Sequence, residues 1–189
     1  MKLSSTIQEI MTGINVKDDE WDLLLAGDGS GQGWDFGCGW GCVLVDHKTF
    51  DRKLFYGAMN VGTIGIAELF PYIHAMTWYS RLLGKKRLKE LQEIRKSSQT
   101  LKVHIITDSE ITAKQGNGVA KRETNAEFWA SIDYFNRFGY SFKWHWLERD
   151  TIGLNALTDH ISREARISLH GDLPEGSTIY DFSPSENTG

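Results

Sequence analysis

Leu23-Leu24-Leu25-Ala26-Gly27-Asp28-Gly29-Ser30-Gly31 decides the fold of this chain. An apolar run ends in a carboxylate set among three glycines. A run of that length bounded by a turn signal reads as a buried strand. Asp28 then lies at or near the end of a core strand, where a charge is costly unless it is paired or bound to a metal. Taken alone, the stretch reads more simply as an Asp opening a Gly-rich hairpin turn. The choice depends on whether other carboxylates reach the same place.

Upstream, Ile7, Ile10, Met11 and Ile14 fall at helical spacing and predict a short amphipathic helix, followed by the polar connection 17–20 and strand 1 at about 21–28. Downstream, residues 29–37 form a Gly-rich loop. Its Trp34 and Phe36 are placed either to stack on a sugar or base or to cap the sheet. Strand 2, about 38–46, alternates Cys38, Trp40, Cys42 and Leu44 against Gly39, Gly41, Val43 and Val45. Strand 3 follows at about 53–61, and the short turns imply an antiparallel meander. The period then changes. Ile66, Leu69, Phe70, Ile73, Met76, Thr77 and Leu83 mark a helix over 63–83, irregular or kinked near Pro71. Glu68 is expected in its first turn, off the main apolar stripe, where a negative charge suits the helix dipole. After the charged stretch 84–99, strand 4 (101–108) is a second apolar run that ends in Asp. Ser109-Glu110 reads as a helix start and Gly116-Asn117-Gly118 as its stop. A helix at 126–138, strand 5 at 141–147 and a last helix at 154–167 complete the order. The expected division is an N-terminal extension 1–20, one domain at 21–168, and a mobile tail 169–189 rich in Gly, Pro, Ser and acids.

Composition narrows the function classes. The chain has 189 residues and is 40% hydrophobic with seven Trp, which fits one globular domain. No apolar run is long enough to span a bilayer, and the first ten residues lack the apolar core of a secretory signal. The expected location is therefore the cytoplasm, the host's for a viral protein. The net charge of −4 argues against broad, non-specific phosphate binding but not against a nuclease, whose acidic ligands are offset locally by bound cations. Cys38 and Cys42, four apart on one strand, are about 13 Å apart and cannot pair. Without nearby His pairs they make no zinc site either. His74 and His104 read as core or surface residues. The basic run Arg81, Lys85, Lys86, Arg87, Lys89, Arg95, Lys96 reads as a solvated helix end, because Glu90 and Glu93 interrupt it. Lys114, Lys121 and Arg122 lie nearer Asp108 and are the better phosphate candidates.

Four carboxylates fall at special points of this order: Asp28 on strand 1, Glu68 on the first long helix, Asp108 after strand 4 and Asp159 in the first turns of the last helix. If strands 1 and 4 are parallel neighbours, their C-terminal ends adjoin, where open α/β sheets place ligands. Residues 63–99 are long enough for the crossover. Convergent carboxylates need a counter-charge, and oxygen ligands select hard cations such as Mg²⁺ or Mn²⁺. Two such ions about 4 Å apart can activate water and stabilise a leaving oxygen in phosphodiester cleavage.

With these residues in view, the chain resembles type 1 ribonuclease H and the wider ribonuclease H-like superfamily. The resemblance is carried by Asp28-Gly29-Ser30-Gly31, Ala67-Glu68-Leu69, Thr107-Asp108-Ser109, and Asn155-Ala156-Leu157-Thr158-Asp159 after Trp144-His145-Trp146. It implies a five-stranded mixed sheet, a three-strand antiparallel meander plus two parallel strands, flanked by helices. It also implies two Mg²⁺ or Mn²⁺ ions and hydrolysis of the RNA strand of RNA–DNA hybrids by a monomer. Asp28, Glu68, Asp108 and Asp159 become the catalytic metal ligands. Gly29, Ser30, Gly31, Ser109, Asn155, Lys121 and Arg122 become the substrate contacts, the small residues after Asp28 letting a nucleic-acid backbone approach closely. The family's loop His has no counterpart in 148–153, so either Glu148 or Asp150 substitutes for it or the step it assists is slower. The Trp- and Lys-rich handle of the cellular enzymes is reduced to 116–122. Alternatives on the same fold are a DNA junction resolvase or strand-transfer nuclease and a non-catalytic nucleic-acid-binding module.

Overall fold

Five strands, β1 (Leu23–Gly31), β2 (Cys38–Asp46), β3 (Arg52–Met59), β4 (Leu101–Thr107) and β5 (Tyr140–Trp146), form one mixed sheet in the order β3-β2-β1-β4-β5. The computed structural model describes residues 3–33, 37–49, 52–86, 100–149 and 153–168. Trp34, Phe36, Asp150, the basic stretch from Arg87 and the C-terminal tail lie outside them. β1 pairs antiparallel with β2 and parallel with β4, β3 extends the meander beyond β2, and β5 runs parallel to β4.

The alternation along β2 sorts the helices. Cys42 and Leu44 face a core shared with Leu69, Tyr72 and Met76 of α2 (Ile64–Lys86) and with Trp129, Ile132 and Phe135 of α4 (Ala126–Arg137). Trp40 and Cys38 join Ile66 and Ala67 beside it. On the other face Gly39 and Gly41 let the last helix, α5 (Gly153–Ser168), lie against the sheet. A Cβ at Gly39 would run into the backbone of Ser162 and Arg166. Both cysteines are free and buried.

The predicted N-terminal helix is present as α1 (Leu3–Gly13). Its Ile7, Ile10 and Met11, with Val16 and Trp21, share a buried cluster with Leu24, Ala26, Val43, Val45, Ile106 and Leu154. Residues 7–21 thus complete the second face of the sheet.

Three expectations are adjusted. β1 does not stop at Asp28: it stays paired with β2 through Gly31↔Cys38, while its parallel pairing with β4 ends at Ala26↔Ile106. The two neighbours of β1 release it at different points, so Asp28 is in a strand yet beyond the parallel ladder. Pro71 lies two turns inside α2 (Ile64–Lys86) rather than in its first turn. Glu68 is in the second turn of α2, on the face that buries Leu69, Tyr72 and Met76, and is itself 8% exposed. Among the described residues no helix is long and apolar enough to cross a membrane.

Candidate active site

The parallel pair β1–β4 opens at its C-terminal end, and three carboxylates converge there. Asp28 comes from β1, Glu68 from α2, and Asp108 from the residue after β4. One oxygen from each lies within 4.8 Å of the others. Tyr72 fixes the frame behind them. Its hydroxyl lies 2.8 Å from the Gly27 carbonyl and 2.9 Å from the Ile106 carbonyl, so one phenol ties α2 to both strands where they part. Gly29, one residue beyond Asp28, packs against the Ala67 backbone, and any Cβ there would collide with it. That contact sets Glu68, the next residue along α2, beside Asp28.

The carboxylates are short of partners. Asp28 is 2% exposed. Its Oδ1 accepts the Gly29 N–H at 2.8 Å, while its Oδ2 has no hydrogen-bond partner, nor has Glu68 Oε2. Buried polar atoms are ordinarily paired, and once ionised the two orphans are acceptors only, as cation ligands must be. Burial first, then the charge of Asp108, pushes the Asp28 carboxyl up to about 7. Burial first, then Asp28 and Asp108, pushes Glu68 up to about 9, against the charge of Arg149 and a hydrogen bond with the Thr107 side chain. A divalent cation would reverse both effects, and an all-oxygen donor set suits Mg²⁺ or Mn²⁺. The residues present therefore fit such an ion.

Asp159, on the second turn of α5, stands outside the 4.8 Å group, yet its charge acts on Asp28. Between them comes a residue the sequence reading passed over. Arg149, in the loop after β5, donates through Nε to Asp108 Oδ2 at 2.8 Å and holds Nη1 3.7 Å from Asp159 Oδ1. Arg163 pairs with the same Asp159 oxygen at 3.0 Å. The only hint in sequence was a single cation between Glu148 and Asp150 in an otherwise acidic stretch. Glu148 is exposed.

Matching this architecture to solved structures is direct. LC11-RNase H1, isolated from compost and solved in complex with an RNA/DNA hybrid, superposes with a TM-score of 0.62 over 79% of this chain and 99% of its own, at 21% identity.

The chain has the ribonuclease H fold.

The N-terminal RNase H domain of Rv2228c from Mycobacterium tuberculosis gives a TM-score of 0.56 at 16% identity, covering 78% of this chain and 95% of that one. The foamy viral protease-reverse transcriptase in complex with dsDNA gives 0.52 at 15%, covering 81% and 99%. No protein-family model and no curated protein matches the chain. The likeness is one of ribonuclease H architecture, carried with few shared residues.

Within that fold, several of the residues expected to contact substrate have internal partners. Gly29 is buried and its N–H is given to Asp28. The Ser30 hydroxyl accepts Arg166 Nε at 2.9 Å, tying β1 to α5. Ser109 caps α3 (Glu110–Gly116), its hydroxyl meeting the Thr112 N–H and hydroxyl. Arg122 forks onto both Asp133 oxygens at 2.9 and 2.8 Å and lies 4.2 Å over the Trp129 ring. Lys121 is largely exposed, 3.5 Å from Glu123. Gly31 is half-buried. Asn155, one turn before Asp159, is 5% exposed with neither amide atom bonded.

Proposed function

We propose that this chain is a divalent-metal-dependent nuclease that hydrolyses the RNA strand of RNA–DNA hybrids. One observation carries the reading: three carboxylates from β1, α2 and the end of β4 meet within 4.8 Å, and buried oxygens of two of them have no partner. A neighbour of the same fold solved with an RNA/DNA hybrid supports the substrate class. One copy of the chain supplies all four carboxylates, which favours action as a monomer. We place the protein in the cytoplasm on the same reading.

Asp28, Glu68, Asp108 and Asp159 would hold two Mg²⁺ or Mn²⁺ ions, which supply charge neutralisation and an activated water when bound. Asp28 and Asp108 would be the rigid ligands, because Asp28 is held inside β1 and Asp108 directly follows β4. Glu68, whose Oε2 has no partner, would orient the attacking water. Asp159, carried on a separate helix, would complete one ion's shell. The unpartnered amide of Asn155 is the best remaining candidate for a polar contact to the bound strand. Exposed Lys121 and half-buried Gly31 remain candidates for further substrate contacts.

The test is cleavage of labelled RNA–DNA hybrid, duplex DNA and a four-way junction in Mg²⁺ or Mn²⁺, with wild type beside Asp108→Asn. Cutting of the hybrid's RNA strand alone, lost in the variant and in EDTA, is expected. Junction cutting would replace this reading with a resolvase. Inertness toward all three would replace it with a binding module.

A further inference from the structure

Arg149 is the one basic side chain of the described residues that reaches two of the four carboxylates. It bonds Asp108 Oδ2 at 2.8 Å and lies 3.7 Å from Asp159 Oδ1, and its charge also acts on Asp28 and Glu68. The side chain is half exposed. The backbone that carries it is anchored independently. The Leu147 N–H donates to the Thr107 carbonyl at 3.1 Å, and the Trp146 indole N–H donates to the Asp108 carbonyl at 3.1 Å. The guanidinium can therefore leave the carboxylates by side-chain rotation, with the loop's first residues still pinned to the end of β4.

A guanidinium and a divalent cation compete for the same oxygens. Both are positive, and they repel strongly at the few ångströms that separate ligands in this cluster. A guanidinium displaced from carboxylates keeps its planar fork of donors, which matches a phosphate as well as a carboxylate. The nearest anion that catalysis would bring is the phosphate of the bound strand.

We propose that Arg149 is an exchangeable counter-ion: without divalent ions it holds Asp108 and Asp159 together, it yields them when an ion binds, and its freed fork then takes a phosphate of the substrate strand. It is a positioning residue in the first state and a substrate-binding one in the second. The exchange itself needs only metal binding, and its last step rests on the nuclease reading.

The experiment titrates Mn²⁺ into EDTA-stripped wild type, Arg149→Ala and Arg149→Lys, following free Mn²⁺ by electron paramagnetic resonance. Hybrid binding is then measured in Ca²⁺ at low salt. Removing the competing cation is expected to tighten Mn²⁺ binding in Arg149→Ala by about tenfold. The Lys variant, still charged but without the fork, should fall between. Hybrid affinity should weaken by about tenfold in the Ala variant. Unchanged or weaker Mn²⁺ binding in Arg149→Ala would overturn the exchange and leave Arg149 a simple brace. Tighter Mn²⁺ binding with unchanged hybrid affinity would overturn the phosphate step. A wild type that binds Mn²⁺ but ignores the hybrid would remove the nuclease reading, while the Mn²⁺ titrations would still decide the exchange.

Discussion

At the scale of single residues, Glu68 concentrates the cost of the site. It is buried among like charges, so its carboxyl holds a proton to about 9 when no cation is near. Glu68→Gln removes the ionisable group, and with it the need to keep a carboxyl protonated on folding, but keeps the shape. It is expected to raise the melting temperature in EDTA at pH 8 and to abolish the additional rise that Mn²⁺ gives to wild type, both read by thermal unfolding. The residues that carry this chemistry were legible one at a time, because Asp28 and Asp108 each end an apolar run. Which face of α2 holds Glu68 was not legible. The stripe read from Ile66, Leu69, Phe70, Ile73 and Met76 left out Tyr72, the buried residue one turn from Glu68 on the same face. Arg149 was invisible for a different reason: a long side chain crosses from one loop to two other elements, and no spacing rule records such reach.

At the scale of elements, the contact between α2 and the parted strands governs the geometry. Tyr72→Phe deletes the hydroxyl shared by the Gly27 and Ile106 carbonyls. Leaving two buried acceptors without their donor should cost about 1–3 kcal/mol in denaturant unfolding. It should also lower cleavage more than stability alone explains, because β1 and β4 carry Asp28 and Asp108. Gly39→Ala sets a methyl against the backbone of Ser162 and Arg166. Overpacking there should cost about 1–3 kcal/mol, and loss of Asp159 from the site should appear as weakened Mn²⁺ binding. Among the described residues the order and type of the strands and α-helices were readable, since the meander, the crossover helix and both parallel strands have clear periods, while the short 3-10 turn Asp18–Glu20 read only as a polar connection. The glycines carry more than the sequence reading gave them. Gly29, read as room for a ligand, also admits α2, and Gly39 and Gly41, read only as strand positions, admit α5. Close helix approach and close ligand approach leave the same mark on a sequence.

At the scale of the whole molecule, stability and metal binding share one set of groups. Asp28 and Glu68 have ordinary values of 3.8 and 4.5, raised in the folded chain to about 7 and about 9. The unfolded chain loses these protons first as pH rises. Stability is therefore fullest below about pH 4 with respect to these two groups and is lost progressively through pH 7 and 9. In EDTA the melting temperature should fall between pH 5 and 9 on their account. The increment from saturating Mn²⁺ should grow over the same range, because binding no longer has to expel protons. A flat increment across that range would refute the assignment. The N-terminal helix belongs to this scale too. Ile10 is 4% exposed against the second face, so Ile10→Ala should cost about 2–5 kcal/mol while leaving the Mn²⁺ affinity of the folded protein unchanged. The sequence marked this helix as amphipathic, and only the packed sheet shows what its apolar side covers.

The two-sided β2 has one more consequence, for how the chain avoids error while folding. Side chains alternate with period two, so a slip of one residue against β1 would exchange the faces of the whole strand. Trp40 would then point at α5, where not even the methyl of an alanine fits opposite Ser162 and Arg166. A misregistered hairpin could still collapse, but it could not accept its last helix. Docking of α5 thus works as a proofreading step: only the correct register passes it, and only a chain that passes it acquires Asp159.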